Sequence, residues 1–254
     1  MRLASIAAFA ALAFGAAGAY TPAFAEDEIK LPPQLWSFDG PFGTYDRASA
    51  QRGFQVYKEV CSSCHSMKEA YYRNLSGIGL SDEQIKAIAA SVTVPTINDD
   101  GQPAERPGLP SDHFRSPFPN EKAARAANNG ALPPDQSVIE KARDGGATYI
   151  FDLLTGYSEP PAGMKMSEGM NYNKYFPGHQ IAMAQPIHDG QVTYSDGTTA
   201  TVEQMARDAA TFLTFIANPE MEQRKRMGVK IVLFLALLTG VTYVVKRQVW
   251  ADVH

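Results

Sequence analysis

Both cysteines of this 254-residue chain fall in one pentapeptide, Cys61-Ser62-Ser63-Cys64-His65. With no third cysteine, no disulfide can staple distant parts of the chain, and its covalent options are confined to one turn. Three chemistries use this spacing. A redox dithiol needs a strand–helix setting and gives no reason for the membrane anchor read below. A zinc site needs further ligands at suitable spacing, and His113, His179 and His188 are scattered. The pattern fits best the C-x-x-C-H attachment signature for one covalently bound haem c. The two thiols add across the haem vinyl groups as thioethers, and the imidazole of His65 follows directly as an axial ligand.

Both ends of the chain speak for the compartment. Residues 1–25 carry Arg2, an apolar stretch from Leu3 to Ala19 and a terminal Ala23-Phe24-Ala25, the three regions of a secretory signal peptide cleaved before Glu26. A first membrane helix is the alternative, but Tyr20, Thr21 and Pro22 soften the run. Near the other end, Ile231 to Val245 is fifteen residues without a charge. Arg224, Lys225, Arg226 and Lys230 precede it, Lys246 and Arg247 follow it, and Tyr243 and Trp250 lie near one boundary. Charged flanks with interfacial aromatics fit a membrane anchor better than a buried core helix.

Counting basic residues around the span favours the opposite orientation to the one an export signal imposes. The signal, as the first translocating segment, takes precedence. The chain therefore divides into a signal peptide (1–25), a periplasmic haem domain (26–219), a basic juxtamembrane segment (220–228), an anchor helix (229–245) and a cytoplasmic tail (246–254). Such a protein belongs in the inner membrane, crossing the lipid bilayer once.

Between the ends, residues 26–219 hold 24 acidic and 16 basic side chains, a net charge of −8. That is a poor surface for nucleic acid and a suitable one for steering a basic protein partner. Asp46 caps a helix running from Arg47 into the cysteine motif. Ser81-Asp82-Glu83-Gln84 is a capping box opening a helix through Ala90. Glu121 to Ala127, Asp135 to Arg143 and Tyr149 to Leu154 read as short helices. Thr201 opens a longer one, in which Met205, Ala209, Phe212 and Ile216 step by three and four. Residues 95–120, with six prolines and two glycines, read as an irregular excursion. Gln191 to Tyr194 could form one edge of a small hairpin. The expected fold is mainly α: a c-type cytochrome haem domain with long loop insertions, plus one C-terminal transmembrane helix.

The haem needs a sixth ligand or an open site, and methionine there raises the potential. Met67 is too close to His65 to reach the opposite haem face, and Met205 sits in a core stripe. Met164, Met166 and Met170 lie in a glycine-containing loop that leaves them possible. Met183 lies between Pro177-Gly178 and Pro186, on a segment free of helical constraint, and is the leading candidate among them.

Five stretches carry a resemblance: RGFQVYKEVCSSCHS (52–66), NNGALPPDQS (128–137), YIFDLLTGY (149–157), YNKYFPGHQIAMAQPI (172–187) and KRQVW (246–250) at the end of the anchor. In this order they resemble the cytochrome c1 family, the haem subunit of the quinol:cytochrome c oxidoreductase (bc1) complex in its alphaproteobacterial form. The resemblance implies His65 and Met183, 118 residues apart, as the two axial ligands. It implies Arg143 near a haem propionate, and Tyr149 and Pro133 as pocket residues. It further implies a one-electron carrier that is not an enzyme on its own. Such a carrier takes electrons from the Rieske iron–sulfur protein, passes them to a soluble or membrane-anchored cytochrome c, and sits beside cytochrome b in a dimeric complex. An anchored monohaem shuttle or a subunit of another oxidase is the alternative; a two-haem peroxidase would require a second C-x-x-C-H. Some bacterial relatives carry an additional cysteine pair in the body, and this chain does not, so its loop before Met183 must be held by packing.

Overall fold

Helix α1 (Arg47–Glu59) starts at Asp46, whose carboxylate accepts the Ser49 N–H at 3.1 Å, and it ends on the cysteine motif. This computed structural model describes residues 29–253, so the segment read as a signal peptide lies outside the described residues. Next comes α2 (Asp82–Ala90), opened by the reciprocal Ser81–Gln84 capping box. Strands β1 (Thr93–Ile97) and β2 (Pro103–Pro107) follow, then α3 (Glu121–Ala127) and α4 (Gly146–Thr155). The two-residue strands β3 (Asn171–Tyr172) and β4 (Gln180–Ile181) precede α5 (Val202–Ala217) and α6 (Met221–Val249).

The core forms where α5 packs on both α1 and α4. Met205, Ala209, Phe212 and Ile216 are buried on α5, with Phe54, Val56 and Tyr57 facing them from α1. Close approach depends on Gly53, where an added Cβ would overlap the Asp208 carbonyl oxygen. Asp208 itself is fully buried and binds Arg52 of α1 through two N–H donors, Nε at 2.9 Å and Nη2 at 3.0 Å. This pair locks the helix that carries the cysteine motif to the helix that forms the centre of the core.

Three expectations need correction. The proline-rich excursion contains an antiparallel hairpin, β1–β2, pairing Thr93 with Pro107 and Ile97 with Pro103. Prolines are tolerated because each strand of a two-stranded ribbon has an open edge. The Asn98 side chain closes the turn by accepting from Asp100 N–H and Gln102 N–H. Residues 135–143 form turns rather than a helix. Their backbone is drawn elsewhere: Gln136 N–H donates to the Ser66 carbonyl, and Ser137 N–H to the Asp135 carboxylate, groups that compete with helical bonding. Gln191 to Tyr194 is not a strand, although Val192 and Tyr194 are buried.

Helix α6 spans 29 residues and is about 43 Å long, sufficient to cross a bilayer core of ~30 Å. Its apolar stretch is entirely exposed. Its first turns, by contrast, are fastened to the body. Arg47 donates to both carboxylate oxygens of Glu222 at 2.8 Å, and Lys225 donates to the carbonyls of Phe38 (2.6 Å) and Gly43 (3.2 Å). Met221 is buried in the core cluster.

The basic segment 220–228 therefore begins as part of the domain. A haem domain truncated after Pro219 should still fold and be reducible. It should be less stable than one truncated after Met227, by about 3 kcal/mol or on the order of 10 °C in Tm. Thermal circular dichroism of the two fragments checks this, and equal melting would assign no stabilising role to these turns.

Candidate haem-binding site

The end of α1 shapes the cysteine turn. Cys61–Ser63 forms a single 3₁₀ turn, and the N–H groups of Cys64 and His65 both donate to the Cys61 carbonyl, at 3.1 and 2.9 Å. The intervening serines turn back to the helix: Ser62 Oγ donates to the Lys58 carbonyl and Ser63 Oγ to the Val60 carbonyl, each at 2.8 Å. Carbonyls left open at a helix end are thereby satisfied. Cys61 and Cys64 are free thiols, both half-buried. Burial pushes the Cys61 thiol up to about 12.

His65 Nδ1 lies 2.8 Å from the Pro134 carbonyl oxygen, which can only accept, so Nδ1 carries the proton and Nε2 keeps its lone pair for a ligand. Burial lowers the His65 pKa and favours the neutral, ligating form, against the opposing pull of that carbonyl. The strand of chain holding Pro134 is sewn along the motif. The Asp135 carboxylate accepts from Ser66 Oγ (2.7 Å) and Lys68 N–H (2.9 Å), and Ser137 Oγ accepts from Glu69 N–H (2.9 Å). Half-buried Pro133 immediately precedes this segment.

The loop that carries Met183 is supported from α4. The Tyr157 hydroxyl, just past its C-terminus, donates to the Met183 carbonyl at 3.1 Å. Asn173 is wholly buried and holds the loop before Met183 at three points. Its Nδ2 donates to the Leu153 carbonyl (2.7 Å), its Oδ1 accepts from Tyr175 N–H (3.0 Å), and its own N–H donates to the His179 carbonyl (3.0 Å). Lys174 N–H adds a bond to the Gly156 carbonyl, and β3 pairs with β4 two residues before Met183. Hydrogen bonds thus hold this loop in a chain that has no cysteines to spare for it. Met183 is half-buried; Met67 and Met205 are fully enclosed in the core. Met166 and Met170 line a cleft of 520 Å³ with Tyr157, Tyr172 and Gln185.

Tyr149 is buried on α4, where loss of solvent raises its phenol pKa and the neighbouring Arg143 guanidinium acts to lower it. Arg143 is exposed and donates to the Ala142 carbonyl at 2.8 Å. The structure thus joins His65, beside Cys61 and Cys64 in one turn, to the residue that follows Pro133, and sets Arg143 near Tyr149. Met183 is linked to α4 through Tyr157. Pro134, Asp135, Ser137, Tyr157 and Asn173 were not singled out from sequence, although all five lie within the stretches quoted above.

Two unlinked thiols on one turn, an imidazole with its Nδ1 proton already engaged and a half-buried thioether suit a covalent haem c with histidine and methionine ligation. Known proteins bear on this reading. Residues 36–253 match the family model described as Cytochrome C1 family. The chain is 49% identical over 231 residues to "Cytochrome c1, heme protein, mitochondrial" of Saccharomyces cerevisiae, covering 90% of this chain and 75% of that one. It is 46% identical over 245 residues to cytochrome c1 of Rhodospirillum rubrum, covering 90% of each. It is also 47% identical over 252 residues to a Bradyrhizobium diazoefficiens protein named cytochrome b/c1, of which it spans 37%.

Proposed function

This chain belongs to the cytochrome c1 family, and from that premise we propose that it accepts single electrons from the Rieske iron–sulfur protein and passes them to a cytochrome c during quinol oxidation. It is a haem protein and an electron-transfer subunit of the bc1 complex, anchored in a membrane by α6. The observation that carries the reading is the His65 imidazole, fixed by the Pro134 carbonyl at the end of the cysteine turn with Nε2 left to bind metal.

The haem supplies a one-electron couple; the chain supplies everything that holds it. Cys61 and Cys64 would tether it as thioethers, and His65 and Met183 would hold its iron. Tyr157 and Asn173 hold the Met183 loop, so ligation does not have to order it. Arg143 beside Tyr149 offers a guanidinium suited to a propionate carboxylate, and Pro133, next to the residue that holds His65, would border the bound haem. Cytochrome b is the proposed neighbour of α6, consistent with similarity to a relative whose name joins b and c1. The haem domain faces the periplasm in a dimeric complex of the inner membrane, with the C-terminus in the cytoplasm.

Extraction in mild detergent tests the assembly. The chain should co-purify with cytochrome b, and quinol should reduce its haem only while the Rieske protein is present. Quinol-independent behaviour, or purification without cytochrome b, would identify a shuttle of another complex. The acidic body also predicts how the electron leaves. Association with a basic cytochrome c should slow as ionic strength rises, because the attraction is screened over about 10 Å at 0.1 M salt. Stopped-flow rates across a salt series check this, and a flat series would remove electrostatic steering.

A further inference from the structure

The fastening of α6 to the body also orients a short apolar turn. Arg47 and the Tyr45 N–H both bind Glu222, whereas the Gly43 carbonyl binds Lys225. Following the chain from 47 back to 43, the contacts move three residues along α6 toward its apolar stretch, about 4.5 Å. The same Lys225 ammonium also binds the Phe38 carbonyl, so residues 39–42 form a loop closed at its base by one cation. Its tip reads Gly40-Pro41-Phe42, with Gly40 in the left-handed region at φ 68°. Asp39, the one charged residue of the loop, accepts the Trp36 N–H through its carboxylate. Phe42 is 80% exposed, although Phe38 and Tyr45 on either side are buried.

An isolated exposed phenylalanine is ordinary on a surface facing water. What distinguishes Phe42 is its place on a tip without a free charge, in a loop whose base is bound to Lys225, six residues before the uncharged stretch that starts at Ile231. Exposed Arg224 and Arg226 lie on the same turns of α6 as Lys225. We propose that the Gly40–Phe42 turn inserts into the lipid interface beside α6, giving the haem domain a second membrane contact that restricts its tilt. An apolar side chain at the headgroup boundary, flanked by basic residues, is the usual composition of an interfacial contact. The proposal rests on the reading of α6 as the membrane anchor.

Site-specific fluorescence tests both readings separately. With the haem thioethers formed, an introduced cysteine is the sole free thiol. Phe42→Cys, Ile97→Cys and Leu237→Cys, at positions that are all exposed, would each be labelled with an environment-sensitive fluorophore. Measurements use the full-length holoprotein in phosphatidylcholine–phosphatidylglycerol vesicles and in the assembled complex. The label at 42 should be quenched by nitroxide carried near the lipid headgroup, with an iodide quenching constant several-fold below that at 97 on the hairpin. The label at 237 should respond only to deeply placed nitroxide.

Free access of iodide to position 42 while 237 is shielded would overturn the proposal and leave the anchor intact. A label at 42 shielded from iodide and lipid nitroxide alike in the complex, yet open to iodide in vesicles, would mean that a protein neighbour covers the turn and would also overturn it. Iodide access at 237 would remove the anchor, and this proposal with it.

Discussion

Replacing Met183 with leucine should abolish the ferric sulfur–iron absorption band and lower the reduction potential by roughly 0.2 V or more, within the ~0.8 V range that axial ligation spans. Leucine has nearly the volume of methionine and no donor atom, so the substitution removes the proposed ligand while costing under about 1.5 kcal/mol in packing. The backbone position should persist, because Tyr157 binds the main-chain carbonyl of residue 183 and Asn173 fixes the preceding loop by its own bonds. The haem should stay attached through Cys61 and Cys64. An optical spectrum and redox titration of wild type and variant therefore read ligation separately from folding. Unchanged spectrum and potential would assign the sixth position to another residue, with Met166 and Met170 of the adjoining cleft the first to examine.

The second large effect lies away from the haem. Asp208→Ala should destabilise the haem domain by about 3–5 kcal/mol, the usual cost of breaking a buried ion pair from one side. The carboxylate accepts from Arg52, from Ser49 Oγ at 2.7 Å and from Gln204 Nε2, so its loss leaves donors on three side chains without this acceptor. Arg52 would retain only Asp196, at 2.8 Å on the solvent side. Its charge would then stay at the α1–α5 contact with only that more exposed counterion, since the guanidinium pKa is held above its ordinary value chiefly by its hydrogen bond to Asp208. Urea unfolding of the ferric protein measures the loss. Replacing both residues together, Arg52→Met with Asp208→Leu, should recover much of it, because an apolar pair does not carry the desolvation cost of the charges. A small effect of Asp208→Ala alone would mean that water enters and solvates the site.

Much of the local structure was legible from single residues. Asp46, Ser81 and Thr201 cap helices at the positions where they were expected, because a cap needs only a side-chain oxygen and an N–H three residues on. The same is true of the cysteine turn, whose five residues contain all the chemistry of attachment. The hairpin at 93–107 was hidden by its prolines, which signal irregular chain unless one knows that the outer edge of each strand is open. Residues 135–143 have a helical composition, yet they are held open by partners near residue 66, about seventy positions earlier.

The sequence by itself determined the cofactor and the helical class through spacing and periodicity, offered an uncharged run long enough for an anchor, and carried the family through the resemblance of its quoted stretches. Tertiary structure alone decided which groups support the ligands and where the domain meets its anchor. Pro134 became the partner of His65, Asn173 the clasp of the Met183 loop, Asp208 the counterion of Arg52, and Glu222 and Lys225 part of the haem domain. Most of these pairs join residues 69 to 187 positions apart. Their energy comes from burial and geometry that exist only once the helices have packed, and a linear pattern carries no record of them.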